Sequence, residues 1–203
     1  MKVMTPVFRT FCAALLGLLL PLTVHAKTIP HTAEELAKFN EWLTAFTAEA
    51  RAKGISEDTL TAALTGLTPY EKAIKRDRAQ PEFKRTFVQY STKRLSQWRI
   101  TKGKEKLAKH KDLLNRVAKH YGVQPRFILA FWGLETNYGN FTGNNPVIRS
   151  LATLAYDKRR AAYFRKELLL ALQILDEGHI TLKDMKGSWS GAMGQGQIMP
   201  SSF

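Results

Sequence analysis

Along this chain apolar residues recur at helical spacing, and almost nowhere do they alternate with polar ones over the length of a strand. Thr32 and Glu35 have the spacing of a capping box, after which Leu36, Phe39, Leu43 and Phe46 fall on one helical face until Gly54. Ser56 is placed to cap a shorter second helix that ends at Gly66. Thr68-Pro69 is placed to start a third, because proline suits the first helical turn. Pro81 opens a stretch with Phe83, Phe87 and Tyr90, and beyond it Leu107, Leu114, Val117 and Tyr121 make an apolar stripe. Gly122 fits the stop of that helix and Pro125 the start of the next, which carries Ile128, Phe131, Trp132 and Glu135 on neighbouring positions of one face. Phe164, Leu168, Ala171, Leu172 and Leu175 mark a further long amphipathic helix, ended by Gly178. From Lys186 to Phe203 the chain turns rich in Gly, Ser, Gln and Met, the composition of a binding loop that turns into a helix. The pattern predicts a mainly α protein with no internal repeat and no low-complexity linker.

The N-terminus reads differently. Lys2 and Arg9 precede an apolar run from Phe11 to Leu22, and Val24-His25-Ala26 then sets small residues at the first and third positions before a bond. This is the layout of a secretory signal peptide with cleavage after Ala26, and the run is shorter than the roughly 20 residues needed to span a bilayer. The single cysteine, Cys12, lies inside the run, so the processed chain has no thiol for a disulfide or a thiolate metal site. Arg9-Thr10-Phe11 before it lack the apolar and small residues of a lipid-modification site. The reading is therefore a leader over 1–26 and one soluble, periplasmic domain over 27–203, with a helical part at 27–124 and a core at 125–203.

The formal net charge is +14, of which the leader carries only Lys2 and Arg9, so the exported chain keeps +12 and calls for an anionic partner. Ten Lys/Arg between Lys93 and Lys119 face only Glu105 and Asp112. A solvated helix face is the plain explanation; attraction to wall or membrane anions is the functional one. Nucleic acid is set aside, because a leader exports the chain and the basic segment holds no base-reading motif.

Glu135 ends an apolar helical face. A carboxylate kept in apolar surroundings holds its proton and can act as a general acid, whereas a plain exposed or paired glutamate is the alternative. The flanking residues decide between these. GLETNYG from Gly133 and GSWSGAMGQGQIMPSSF from Gly187, with VIRSLATLAYDKRRAAYFRKEL between them and FVQY ending at Tyr90, resemble the lytic murein transglycosylases of the membrane-bound lytic transglycosylase B family. The resemblance extends from about Pro81 to the end.

It implies a lysozyme-like catalytic domain that cleaves the β-1,4 bond between N-acetylmuramic acid and N-acetylglucosamine without water, leaving a 1,6-anhydromuramic end. By the same match Glu135 is the catalytic acid and base. Ser188 and Gln197 become cleft residues that bond sugars or acetamido groups, Met193 an apolar wall, and Tyr90 a stacking aromatic. Gly191, Gly194 and Gly196 would let backbone approach the glycan. Arg159 and Arg160 are matched to carboxylates of the muramyl or peptide part, with salt-bridging of the next helix as the alternative. Glu167 and Glu177 are read as structural. Peptidoglycan glycan strands are the expected partner, an anionic membrane surface a further one, and the chain is read as a monomer. No cofactor is implied, and with no D-x-D-x-D-G loop and no paired-histidine ligand set no metal site is expected. Family members continue past the MPSS segment, so a C-terminally truncated domain, lacking the far wall of the cleft, is the expectation for a chain ending at Phe203. A catalytically inactive peptidoglycan-binding protein is the alternative function.

Overall fold

The computed structural model describes residues 31–79 and 86–203; the leader with Cys12, its cleavage point, Pro81 and Phe83 lie outside them. The first helix, α1 (Ala33–Ala52), starts on the expected capping box: Thr32 Oγ1 accepts from Glu35 N–H at 3.1 Å, and Thr32 N–H donates to the Glu35 carboxylate at 2.8 Å. Phe39, Leu43, Phe46 and Ala50 are its buried face, and the chain leaves through Gly54 at φ +92°. Ser56 caps α2 (Glu57–Leu64) by accepting from Thr59 N–H at 3.3 Å.

The third helix, α3 (Glu71–Arg78), begins later than Thr68-Pro69 predicted. The reason is a partner that sequence pattern cannot show. Arg149 donates to Thr68 O and Thr68 Oγ1, each at 2.8 Å, and to Pro69 O at 3.0 Å, while Tyr70 N–H donates to Thr153 Oγ1 at 2.9 Å. Residues 68–70 are spent on that contact and cannot wind into a helix.

Arg149 and Thr153 belong to α8 (Val147–Tyr156), which is buried along almost its whole length. It follows α4 (Phe87–Arg94), α5 (Gln97–Lys109), α6 (Lys111–Tyr121), α7 (Pro125–Thr136) and the short strand β1 (Asn145–Pro146), and it precedes α9 (Ala161–Asp176). A 3₁₀ turn, Lys158–Arg160, joins α8 to α9, and β1 pairs antiparallel with β2 (Lys186–Gly187). Helix α8 can be buried because small residues, Ser150, Ala152, Thr153 and Ala155, let α1, α3 and α9 pack around it. Val147, Leu151 and Leu154 fill the spaces with Phe39, Phe46, Phe164, Leu168 and Leu172. Each such side chain contributes about 1.5–3 kcal/mol on burial, which makes this cluster the main source of stability within the compact unit Thr32–Phe203.

A second, much smaller cluster joins α5, α6 and α7 through Leu114, Leu129 and Tyr138, with Ile128 and Trp132 against it. The basic stretch runs from the last turn of α4 through α5 and α6, which are broken at His110, and the stripe expected there is only partly covered: Leu114 is buried, whereas Leu107 and Tyr121 are exposed. Helix α5 turns small and polar residues toward α7. Gly103 makes room for the Tyr138 ring, Arg99 O receives its hydroxyl, and Lys106 lies 5.2 Å from the Trp132 ring.

The C-terminus of α9 is tied to the start of α2. Asp176 Oδ1 accepts from Ser56 N–H at 3.2 Å and from the Ser56 hydroxyl, and bonds from the Ser56 and Thr59 side chains hold the Asp176 carboxyl below its ordinary value. A carboxylate whose folded pKa is depressed stabilises at pH above its unfolded value and loses that contribution as pH falls through the folded one. Asp176→Asn should therefore lower the melting temperature at neutral pH, with the gap to wild type closing below about pH 4. Thermal melts at several pH values check this.

Candidate active site

Helix α7 has proline in its first turn, and its buried positions are Leu129, Gly133 and Thr136. Glu135 therefore points elsewhere. The burial expected from Ile128, Phe131 and Trp132 does not occur: Phe131 is 67% exposed, Ile128 and Trp132 turn toward the small α5–α7 cluster, and Glu135 is exposed. The helical period identified a shared face correctly in spacing but could not say which face α5 and α6 would cover. Among the described residues the Glu135 carboxylate has neither a hydrogen-bond nor an ion-pair partner, so it stands free on the last turn of α7.

Beyond Glu135 the helix ends on two consecutive left-handed residues, Asn137 at φ 50° and Tyr138 at φ 61°. Asn137 N–H bonds Gly133 O at 3.2 Å and Tyr138 N–H bonds Trp132 O at 3.1 Å, which satisfies the last carbonyls of the helix. The reversed chain runs past Gly143, which sits against the backbone of Gly187 and Ser188 at φ +91°, where any Cβ would collide.

The Gly-rich segment after β2 is a small, ordered hairpin. Ser188 N–H donates to Ala192 O at 2.8 Å, Ser188 Oγ accepts from Ala192 N–H at 3.0 Å, and Met193 bridges both Gly187 and Ile198. Gly191, at φ +94°, rests on Leu151 of the main core. Gln197, itself left-handed at φ 48°, donates from Nε2 to Thr142 O at 2.8 Å and to Gly194 O at 3.0 Å. Ser188 and Gln197 thus shape the loop with their own side chains, and Met193 packs its thioether on the main core beside the loop.

Gln195 was not picked out from the sequence, yet it joins this loop to the helix of Glu135. Its Oε1 accepts from Trp132 Nε1–H at 2.7 Å, and its carbonyl accepts from Thr136 Oγ1–H at 2.8 Å. Its position between Gly194 and Gly196, and that of Thr136 next to Glu135, were the only hints available. Glu135, Ser188, Met193 and Gln197 are accordingly carried by one bonded unit. Tyr90 is linked to it through Arg94, whose guanidinium lies 5.2 Å from the Tyr90 ring and donates to Leu134 O at 3.4 Å.

Arg159 and Arg160 are held by α3. Arg159 Nε donates to Asp77 Oδ2 at 2.7 Å and its Nη2 to Asp77 O at 2.8 Å, while Arg160 pairs with Asp77 Oδ1. The salt bridges are made backward to α3 and not to the following helix α9, where the sequence reading places them. Glu167 is buried and accepts from Ser201 N–H at 2.9 Å, and Glu177 bonds Gln173 and His179, so both serve the structure.

A mainly helical domain with a free glutamate at the end of a helix that is bonded to a glycine-rich hairpin suits a lysozyme-like transglycosylase domain. The family model described as transglycosylase SLT domain matches residues 38–203, and the chain belongs to that family. It is 41% identical over 95 residues to the membrane-bound lytic murein transglycosylase B of Escherichia coli K12, a match covering 46% of this chain and 26% of that protein. Among solved structures it is similar to SltB3 from Pseudomonas aeruginosa in complex with NAG-NAM-pentapeptide, with TM-score 0.76 and 42% identity over 81% of this chain and 44% of that one. It is also similar to the soluble lytic transglycosylase SltB1 of the same organism, with TM-score 0.70 and 31% identity over 80% of this chain and 55% of that one. The chain thus spans about a quarter of the E. coli protein and about half of each solved chain.

Proposed function

We propose that this protein is a lytic murein transglycosylase of the periplasm, exported by a leader cleaved after Ala26, with Glu135 as its acid and base. The observation that carries the reading is the free Glu135 carboxylate at the end of α7, bonded through Thr136 and Trp132 to the Gly187–Ile198 hairpin, in a chain 42% identical to a relative solved with NAG-NAM-pentapeptide. In the reaction, Glu135 gives its proton to the glycosidic oxygen as the bond from that oxygen to C1 of the muramic residue breaks. The 6-hydroxyl oxygen of the same residue then bonds to C1, and its proton returns to Glu135. No water is consumed and the product ends in a 1,6-anhydro ring. One carboxylate suffices because the acceptor is part of the substrate and already close, whereas ordinary glycosidases need a second carboxylate as nucleophile or water activator.

Ser188, Gln197 and Met193, with the open backbone at Gly194 and Gly196, are the surface offered to the sugars, whereas Gly191 is turned to the core at Leu151; Tyr90 is offered for stacking. A digest of purified sacculi by the exported chain, read by mass spectrometry, tests the proposal. Anhydro-muropeptides are expected; binding to sacculi with no release would favour the inactive binding protein instead.

The basic helices supply the second contact with substrate. Lys104, Lys109, Lys111, Arg116 and Lys119 are exposed on α5 and α6, a face suited to carboxylates of wall peptides and to lipid phosphates, beside exposed Trp98 and Ile100. Exposed charges are screened over about 10 Å at 0.1 M salt, so retention on sacculi should fall as salt rises through that range. Replacing Lys104, Lys109, Lys111 and Lys119 with Gln should imitate high salt. Retention unchanged by both would leave the helices as a solvated face.

A further inference from the structure

The turn that follows Glu135 is held by more than its own backbone bonds. Asn137 and Tyr138 are both left-handed, a conformation that Asn adopts readily at a helix end but that is costly for Tyr and kept where surroundings enforce it. The surroundings come from α5. Arg99 places its Nε and Nη2 on Asn137 Oδ1 at 3.2 and 2.7 Å, and Tyr138 returns its hydroxyl to Arg99 O at 2.8 Å. The ring is admitted by two glycines: a Cβ on Gly103 would stand 2.5 Å from the Tyr138 hydroxyl, and one on Gly133 would stand 2.6 Å from the same ring. Trp132 meets the ring edge to face at 5.6 Å, and its indole N–H reaches Gln195 in the hairpin.

We infer that Arg99 and Tyr138, seated against Gly103, are positioning residues for the acid/base: through the left-handed pair after Thr136 they fix the last turn of α7 and hence the direction of the Glu135 side chain. The inference rests on the acid/base reading of Glu135. Neither residue touches the reacting atoms. Their part is to let α5, otherwise a basic surface helix, hold the turn from which the free carboxylate is presented. Burial keeps the Tyr138 phenol above its ordinary value despite the nearby Arg99 charge, so it remains a donor over the whole neutral range.

The bonds can be removed from either side: Tyr138→Phe deletes only the hydroxyl, and Arg99→Ala deletes both bonds to Asn137 Oδ1. In Tyr138→Phe and in Arg99→Ala, kcat for anhydro-muropeptide release should fall about tenfold, the order expected for one lost buried hydrogen bond, with KM within about twofold. Gly103→Ala should lower kcat by at least as much. Combined with Tyr138→Phe it should cost nothing further, because the colliding oxygen is gone and the next ring atom is 3.4 Å away. A merely structural contact would lower the melting temperature without that split or that rescue. Amide exchange supplies a second reading that needs no turnover. Gly139 N–H, bonded to Thr136 Oγ1 at 3.0 Å, and Phe141 N–H, bonded to Thr136 O at 3.0 Å, should exchange about tenfold faster in both variants, with α8 unchanged. Unchanged kcat and unchanged exchange in the two variants, beside a Glu135→Gln variant that has lost release, would overturn the positioning role alone. Full release by Glu135→Gln would remove the acid/base reading and this inference with it. Should the wild-type chain release nothing, the exchange rates decide: faster exchange upholds the hold of α5 on the turn, and unchanged exchange ends it.

Discussion

Glu135→Gln is expected to lower anhydro-muropeptide release by at least about 10²- to 10⁴-fold, the range that general acid/base catalysis supplies, while leaving the fold and sacculus binding intact. The amide keeps the shape of the side chain and removes only the exchangeable proton. In the proposed reaction a proton is moved twice by this group, out to the leaving oxygen and back from the 6-hydroxyl, so both halves of the chemistry lose their catalyst. The structure sharpens the expectation for stability. Because Glu135 is exposed and without partners among the described residues, the substitution disturbs neither a buried charge nor a hydrogen bond, and the melting temperature should stay within about 1 °C. Loss of release together with a large fall in melting temperature would mean that the residue supports the fold. Release that survives the change would require another acid.

What could be read from the sequence was whatever depends on near neighbours. Thr32 with Glu35, Ser56, Gly122 and Pro125 set helix ends where expected, because caps act within a few residues. The face of α1 was equally legible, since Phe39, Leu43 and Phe46 have only one core to enter. The misreadings share a cause. The start of α3 depends on Arg149, 81 residues from Thr68, and the covered face of α5 depends on Tyr138, 39 residues from Arg99. Spacing gives the period of a helix but not which side a distant partner will cover, so Phe131 was read as a wall for Glu135 and is exposed. At the site, motif resemblance singled out Glu135, Ser188, Met193 and Gln197, whereas Gln195 and Thr136, which bond helix to hairpin, emerged only from geometry.

The arginine pair offers the largest expected effect on stability. Asp77 is 2% exposed and receives both Arg159 and Arg160, while one residue along α3, Arg78 pairs with Asp157 at 3.0 Å. Charges of alternating sign thus lock the end of α3 to the turn between α8 and α9. Removing one partner from a wholly buried pair costs about 3–5 kcal/mol, because the remaining charge is stranded. Here the arginine side chains keep 44% and 37% exposure, so water recovers part of that loss. Asp77→Asn should therefore destabilise by about 2–3 kcal/mol, or roughly 5–10 °C in melting temperature for a unit of this size. Replacing all three residues together, Asp77→Leu with Arg159→Met and Arg160→Met, should restore much of it, since a coherent apolar cluster leaves no charge behind. The same variants separate the two roles of the pair. If the arginines serve the fold, Arg159→Ala and Arg160→Ala lower the melting temperature and leave KM alike for peptide-bearing and peptide-free glycan at a temperature where each is folded. A KM that rises tenfold for the peptide-bearing strand alone, with stability untouched, would return Arg159 and Arg160 to the substrate.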